Sequence, residues 1–165
     1  MPISKNHKGE QAWLFGKGPS LDAFDMRDAG ELRATVNHAC YAVPAPVYCF
    51  SHFEDRQDIQ PPEGCEYITG EGDEIRSDMR EYEVGDLFVK YSSAELAASY
   101  LIACGISALH LIGFDPRQRY SSNFDWPSLK VLSLEEISVR FMVKNHISHM
   151  AALAGVNVYD YGSNN

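Results

Sequence analysis

Gly16-Lys17-Gly18-Pro19-Ser20 carries the most chemistry for its length of any stretch in this chain. Glycines at alternate positions let a backbone turn tightly and approach a ligand. Pro19 pre-sets the helical φ at a first turn, and Ser20 fits an N-cap. A helix start points free amides and roughly half a positive charge outward, which suits phosphate. Lys17 would add a full charge there. The pattern lacks the G-K-[ST] ending of a Walker A loop. A phosphate loop and a plain strand-to-helix turn are therefore both open on spacing alone.

Other candidates fall in the same kind of place, just past a short apolar run. Asn37 follows Thr35-Val36 and offers an amide that donates and accepts, as a ribose hydroxyl or base edge requires, or simply forms a turn. His52 follows the run VYCF and is the best-placed histidine for a catalytic base. Ser92 and Ser93 cap a helix first, and become ligand groups if that helix start faces the same crevice. Asp115 follows the run ALHLIGF and precedes Pro116; it could hold a metal, act as a base or initiate a turn. Arg117, Arg119 and Tyr120 form a compact basic cluster suited to gripping an anion. His110 lies within an apolar run and reads as a satisfied core histidine. His146 and His149 are three apart on one helix face, with no third metal ligand in view and a solvent edge expected for one of them.

The elements that must position these residues alternate. Strands are expected at Ala12–Phe15, Leu32–Val36, Val47–Phe50, near Cys65–Thr69, at Leu87–Lys90, Ala108–Ile112 and Val156–Tyr159. Short helical sequence follows Ser20. Two capping boxes, Ser92 with Glu95 and Ser133 with Glu136, open longer helices that stop at Gly105 and Gly155. In the second of these, Leu134, Ile137, Phe141, Val143, Ile147, Met150 and Leu153 form the expected buried stripe. Residues 53–82, broken by Pro61-Pro62, Gly64, Gly70 and Gly72, read as loops around one short strand. Alternation of strand and helix implies right-handed βαβ winding and a Rossmann-like α/β three-layer sandwich with a mostly parallel sheet. Ligands in such sheets bind at the carboxyl ends of the strands, where the candidate residues stand.

At 165 residues the chain has the size of one ordinary domain, expected to span 1–165 with 1–10 flexible. It is too short for a complete (β/α)₈ barrel. The net charge is −9, and residues 54–86, with twelve acids and three bases, carry all of it. Such a surface repels nucleic acid and anionic membrane, and the segment reads as a solvated face. No apolar run reaches transmembrane length, and the polar start MPISKNHKGEQ has no apolar export core, so a cytoplasmic protein is expected. The cysteines Cys40, Cys49, Cys65 and Cys104 form no C-x-x-C pair and are expected to be reduced thiols.

Taken in order, several of these residues resemble a known superfamily. WLFGKGPSLD is similar to the G-x-G-P-S-L motif of certain bacterial sialyltransferases, motility-accessory-factor flagellin glycosyltransferases and archaeal 6-hydroxymethylpterin diphosphokinases. Asn37 after the second strand, the helix from Ser93 to Ala103-Cys104-Gly105, and Leu111-Ile112-Gly113-Phe114-Asp115 resemble three further marks of those proteins, over about residues 12–115. The resemblance implies a nucleotide or nucleotide-sugar ligand. Gly16, Gly18, Pro19, Ser20, Asn37, Ser93 and Asp115 match ligand-side positions, and Tyr120 matches a phosphate-holding tyrosine. It also implies a possible enzyme, glycosyltransferase-like or phosphotransferase-like, for which Mg²⁺ is the one cofactor to consider. Lys17 stands where Asn is usual, and two departures weigh against catalysis: residues 116–132 contain no His to serve as base, and the sequence is short for the family. A non-catalytic nucleotide-binding domain, or a structural domain keeping an ancestral turn, are the alternatives.

Overall fold

The computed structural model describes residues 6–51, 58–70, 79–82, 92–117, 120–124 and 132–162. Seven strands are present: β1 Gln11–Phe15, β2 Arg33–Val36, β3 Tyr48–Phe50, β4 Glu66–Gly70, β5 Met79–Tyr82, β6 Ala108–Ile112 and β7 Asn157–Asp160. They form one sheet in the order β5-β4-β3-β2-β1-β6-β7, parallel at every pairing. The Rossmann-like α/β arrangement expected from the alternation is the one observed. The chain leaves β1 toward β2 on one side and returns to β6 on the other. The strand order therefore reverses at β1, which is where open parallel sheets place ligands.

Right-handed crossovers put the helices of the two halves on opposite faces. Helices α2, Ser93–Ala103, and α3, Leu134–Leu153, cover one face. Alternate residues of β1 and β6 (Ala12, Leu14, Leu109, Leu111) pack into that core with Leu96, Leu101, Ile147 and Met150. Phe15 and Ile112 turn to the other face, which has a thinner cover. Among the described residues it consists of the four-residue helix α1, Ser20–Ala23, two 3-10 segments at Met26–Asp28 and Asn37–Tyr41, and Phe124 from a later loop. β6 is buried along its whole length, as continuous apolarity requires of a central strand.

Both capping boxes form: the Ser92 and Ser133 hydroxyls accept from the amides of Glu95 and Glu136 at 3.1 Å. Gly105 and Gly155 stop α2 and α3 in the left-handed region, at φ +92° and +73°.

Four expectations differ. Ser20 is the first helical residue rather than the cap, because its hydroxyl is drawn to β6. Met79–Tyr82, expected as loop, adds a fifth parallel strand at the sheet edge. The α3 stripe is fully buried only at Ile147 and Met150, and both ends of the helix are exposed. Ile147 and Met150 are core, whereas Leu134 is 81% exposed and Leu153 66%. Finally, residues 7–10 are tied down: the His7 and Gly9 amides donate to the Cys104 and Gly105 carbonyls. The expected strand at Leu87–Lys90 lies outside the described residues.

Candidate functional site

A crevice of about 250 Å³ opens at the carboxyl ends of β1, β2 and β6. One wall is made by the ends of β1 and β6, at Gly16–Gly18 and Gly113–Pro116. The floor is made by Val36, Asn37 and the start of α2, at Ser92–Ala94. The opposite wall is one face of α3, carrying Val139, Arg140, Val143 and Lys144, and Tyr120 closes an edge.

The strand-end wall is welded shut. Gly16 and Gly18 donate their amides to the carbonyls of Ile112 and Gly113, each at 2.7 Å. The Ser20 amide and hydroxyl both donate to Asp115 Oδ2, at 2.9 and 2.8 Å, and Ser20 Oγ accepts from the Gly113 amide at 2.8 Å. A Cβ on Gly18 would lie 2.3 Å from Asp115 Oδ2 and 2.7 Å from the Gly113 carbonyl. Gly113 itself sits at φ +82°, with Gly16 backbone 2.5 Å from where its Cβ would be. These glycines are demanded by strand-end packing. The amides of Gly16, Gly18 and Ser20 are spent inside the fold.

The floor keeps donors for a ligand. Asn37 adopts φ +53°, a left-handed conformation that Asn tolerates better than most residues. Its Oδ1 accepts from Ser51 Oγ at 3.0 Å and Ser93 Oγ at 3.3 Å. That fixes the amide, whose Nδ2 is left without a hydrogen-bond partner among the described residues. Ser92 is held from behind: its hydroxyl donates to Glu95 Oε1 at 3.0 Å, and Glu95 Oε2 accepts from His146 Nδ1 of α3.

The helix wall brings charge. Lys144 is buried and ion-paired with Asp160 at the end of β7, at 2.5 Å. Lys17 Nζ and the Arg140 guanidinium lie over the Tyr120 ring, 5.3 and 5.8 Å from its centroid. Tyr120 is placed by its neighbours, because Asp22 of α1 holds the loop. Its carboxylate accepts from Ser121 Oγ at 2.6 Å and the Ser122 amide at 2.9 Å. Partial desolvation raises the Asp22 pKa, but these hydrogen bonds outweigh it and hold the group below the ordinary value. Three cations, Lys17, Arg140 and Lys144, thus line the crevice against two carboxylates, the lining Asp115 and the Asp160 that pairs with Lys144, in a protein of net charge −9.

Gly16, Lys17, Gly18, Asn37, Ser93, Asp115 and Tyr120 all line this crevice. Pro19 and Ser20 stand behind the strand-end wall. Arg117 lies outside it, its guanidinium 5.2 Å from the Phe141 ring centroid. His52 and Arg119 lie outside the described residues. His110 is the satisfied core histidine expected: Nδ1 meets Tyr161 Oη at 2.9 Å and Nε2 meets Gln11 Oε1 at 2.8 Å. It stacks between Trp13 and Tyr159, at 4.5 and 4.8 Å, and burial lowers its pKa. His149 is exposed, as expected for one of the α3 pair.

The sequence reading missed Arg140, Lys144 and the Glu95–His146 pair. Their signal was present as two cations four apart on the helix that follows the G-x-D strand after an intervening loop. Its N-terminal half must therefore stand at the strand ends. Magnesium fits this set poorly. It needs several oxygen ligands, whereas the lining holds one carboxylate already accepting from Ser20, and no trio of His, Cys, Asp or Glu is arranged for a metal among the described residues. No protein-family model matches the chain, and no curated protein matches it. No helix among the described residues is long and apolar enough to cross a membrane.

Proposed function

We propose that this crevice binds the phosphate of a nucleotide or nucleotide-sugar. The observation that carries the reading is the convergence of Lys17, Arg140 and Lys144 on the switch point of the sheet, opposite the fixed Asn37 amide. A local excess of cations on an acidic protein is a place where an anion concentrates. Arginine and lysine side chains grip phosphate directly, so the spent loop amides are no obstacle. Val36, Ala94, Phe114, Val139 and Val143 supply apolar walls for a base or sugar face. The volume suits a compact, mononucleotide-sized ligand.

The reading favoured is binding rather than transfer. No histidine lines the crevice among the described residues, and the one lining carboxylate is engaged by Ser20. Transfer chemistry, glycosyltransferase-like or phosphotransferase-like, is the second reading, supported by the motif resemblance and by Asp115 at the crevice wall.

A thermal-shift screen tests the proposal, using CMP, UMP, AMP, GMP, the diphosphates and their sugar conjugates, with and without Mg²⁺. A ligand at 100 times its Kd adds about 2.7 kcal/mol, a shift of several degrees for a domain of this size. A hit that depends on the phosphate supports the reading, and product analysis on that hit separates binder from enzyme. A blank panel overturns it.

A further inference from the structure

At one end of the sheet stands β7, and its outer edge is open. The Asn157 and Tyr161 amides donate inward, to the Ser107 and Leu111 carbonyls, at 3.2 and 2.9 Å. The N–H and C=O of one residue point to the same side of a strand, and that side alternates along it. Those of Val158 and Asp160 therefore point away from the sheet, and neither amide has a partner among the described residues. Proteins blunt a free edge with lysine, proline or a bulge. The strand Asn157-Val158-Tyr159-Asp160 has none of these, and its one charge, Asp160, is matched by Lys144.

We propose that this edge pairs with the same edge of a second copy, antiparallel about a two-fold axis at Tyr159. In that register Val158 of one copy lies opposite Asp160 of the other. The two residues exchange both N–H···O=C bonds, and the symmetry makes a second identical pair. A strand that offers donors and acceptors at two outward residues, one on each side of Tyr159, is its own complement.

Three observations favour a second copy as the occupant. The first is a ladder of rings. Trp13, His110 and Tyr159 are in register across β1, β6 and β7, and stack at 4.5 and 4.8 Å. The ladder ends at Tyr159, which is 49% exposed. The dyad would set Tyr159 beside Tyr159 of the other copy as a closely spaced non-hydrogen-bonded pair, so the ladder runs on through both chains. The second is apolar surface. Of seven large apolar side chains exposed among the described residues, six lie on α3, on β7 or at Tyr161 just after it. Exposed apolar surface gathered at one end of a molecule marks an interaction site. The third is charge. Residues 54–86, which hold the whole net charge, supply β4 and β5 at the opposite end of the sheet. At about 4.8 Å per strand, β5 is roughly 30 Å from β7. Salt screens charge over about 8 Å at physiological ionic strength, so two such acidic chains can meet at β7 without repelling.

The inference is independent of any crevice ligand. Its test is sedimentation equilibrium on the full chain, as wild type, Val158→Pro and Tyr159→Lys. Proline at 158 removes only an outward amide and leaves the bonds to β6, as edge strands tolerate. Wild type should show a concentration-dependent species of twice the chain mass. Val158→Pro should stay at one chain mass and keep its fold by circular dichroism. Tyr159→Lys sets two like charges together at the dyad through an exposed side chain, should also stay monomeric, and decides the matter if the proline variant unfolds. In wild type the Val158 and Asp160 amides should exchange with deuterium more slowly as chain concentration rises. Wild type at one chain mass over its whole soluble range overturns the proposal. So does a folded Val158→Pro or Tyr159→Lys protein that dimerises as wild type does. A wild-type dimer whose Val158 and Asp160 amides exchange at the monomer rate overturns it as well, and places the contact elsewhere.

Discussion

The two walls of the crevice are built on opposite principles. The strand-end wall is backbone against backbone, with glycines admitting the contact and the Ser20–Asp115 pair sealing it. The helix wall is side chains on one face of α3, with Arg140 and Lys144 reaching in. The first wall looks like the binding motif and behaves as architecture. The second carries no motif and holds two of the three cations, with Lys17 reaching in from the first. A recognisable loop and a ligand-gripping surface need not be the same residues, even when they face each other across one crevice. Substitutions should therefore divide: the glycines of the strand-end wall should cost stability, the cations that reach into the crevice chiefly affinity.

The largest effect belongs to the strand-end wall. Gly18→Val forces side-chain atoms against Asp115 and the Gly113 carbonyl, neither of which can move without breaking the Ser20 bonds. Overpacking of this kind costs about 1–3 kcal/mol or more. Differential scanning calorimetry should show a Tm lower by roughly 3–10 °C. An unchanged Tm would mean the loop is free to open and would restore it as a ligand cradle.

Arg140→Ala comes next and should leave Tm almost unchanged, because its partner Tyr120 keeps its Asp22-held loop. Loss of one charge-assisted bond to phosphate, about 1.5–3 kcal/mol, should weaken nucleotide binding by ten-fold or more in calorimetric titration. Lys144→Met should weaken binding similarly but also lower Tm slightly, since it strands Asp160. Equal affinity in both variants would move the anion away from α3.

Asp22→Asn sharpens the comparison from the edge. It weakens the hold on Ser121 and Ser122 and lets Tyr120 drift, so binding should fall by a few-fold with little change in Tm, measured by the same titration.

The smallest effect is a pH slope. His110 has a folded pKa below its ordinary value of about 6.5, because burial disfavours the imidazolium. Its neutral form therefore supports stability above that pH. As pH falls from about 7 through 6.5 and on toward the lower folded value, the unfolded state takes up the proton first and stability declines. Urea midpoints across pH 7 to 5 should fall for wild type, and less steeply for His110→Phe. Identical slopes would show that other groups govern this range.

Much of the architecture was legible because it depends on local patterns. Continuous apolarity marked β6 as central, and serine–glutamate spacing marked the starts of α2 and α3. The strand-end rule points to Asn37, Ser93 and Asp115 as candidates, and all three line one crevice. What was not legible is what depends on distant pairing. Gly18 reads as a ligand-approach glycine until Asp115, ninety-seven positions on, is seen against it. Lys144 reads as a surface lysine until Asp160 at the end of β7 covers it. The α3 stripe failed for a related reason: periodicity reports which face is apolar, but not how far along the helix there is anything to bury it against, and both end residues, Leu134 and Leu153, are exposed. Edge strand β5 escaped because four residues, MREY, carry no alternation strong enough to stand out.

The most direct test of the central claim is calorimetric titration of wild type and Arg140→Ala with the nucleoside monophosphate that scores highest, alongside its unphosphorylated nucleoside. The account predicts that wild type binds the monophosphate, that removing the phosphate or Arg140 costs ten-fold or more, and that the variant melts at the wild-type temperature. Equal binding of nucleoside and nucleotide, or an Arg140→Ala protein that binds as wild type does, would contradict it.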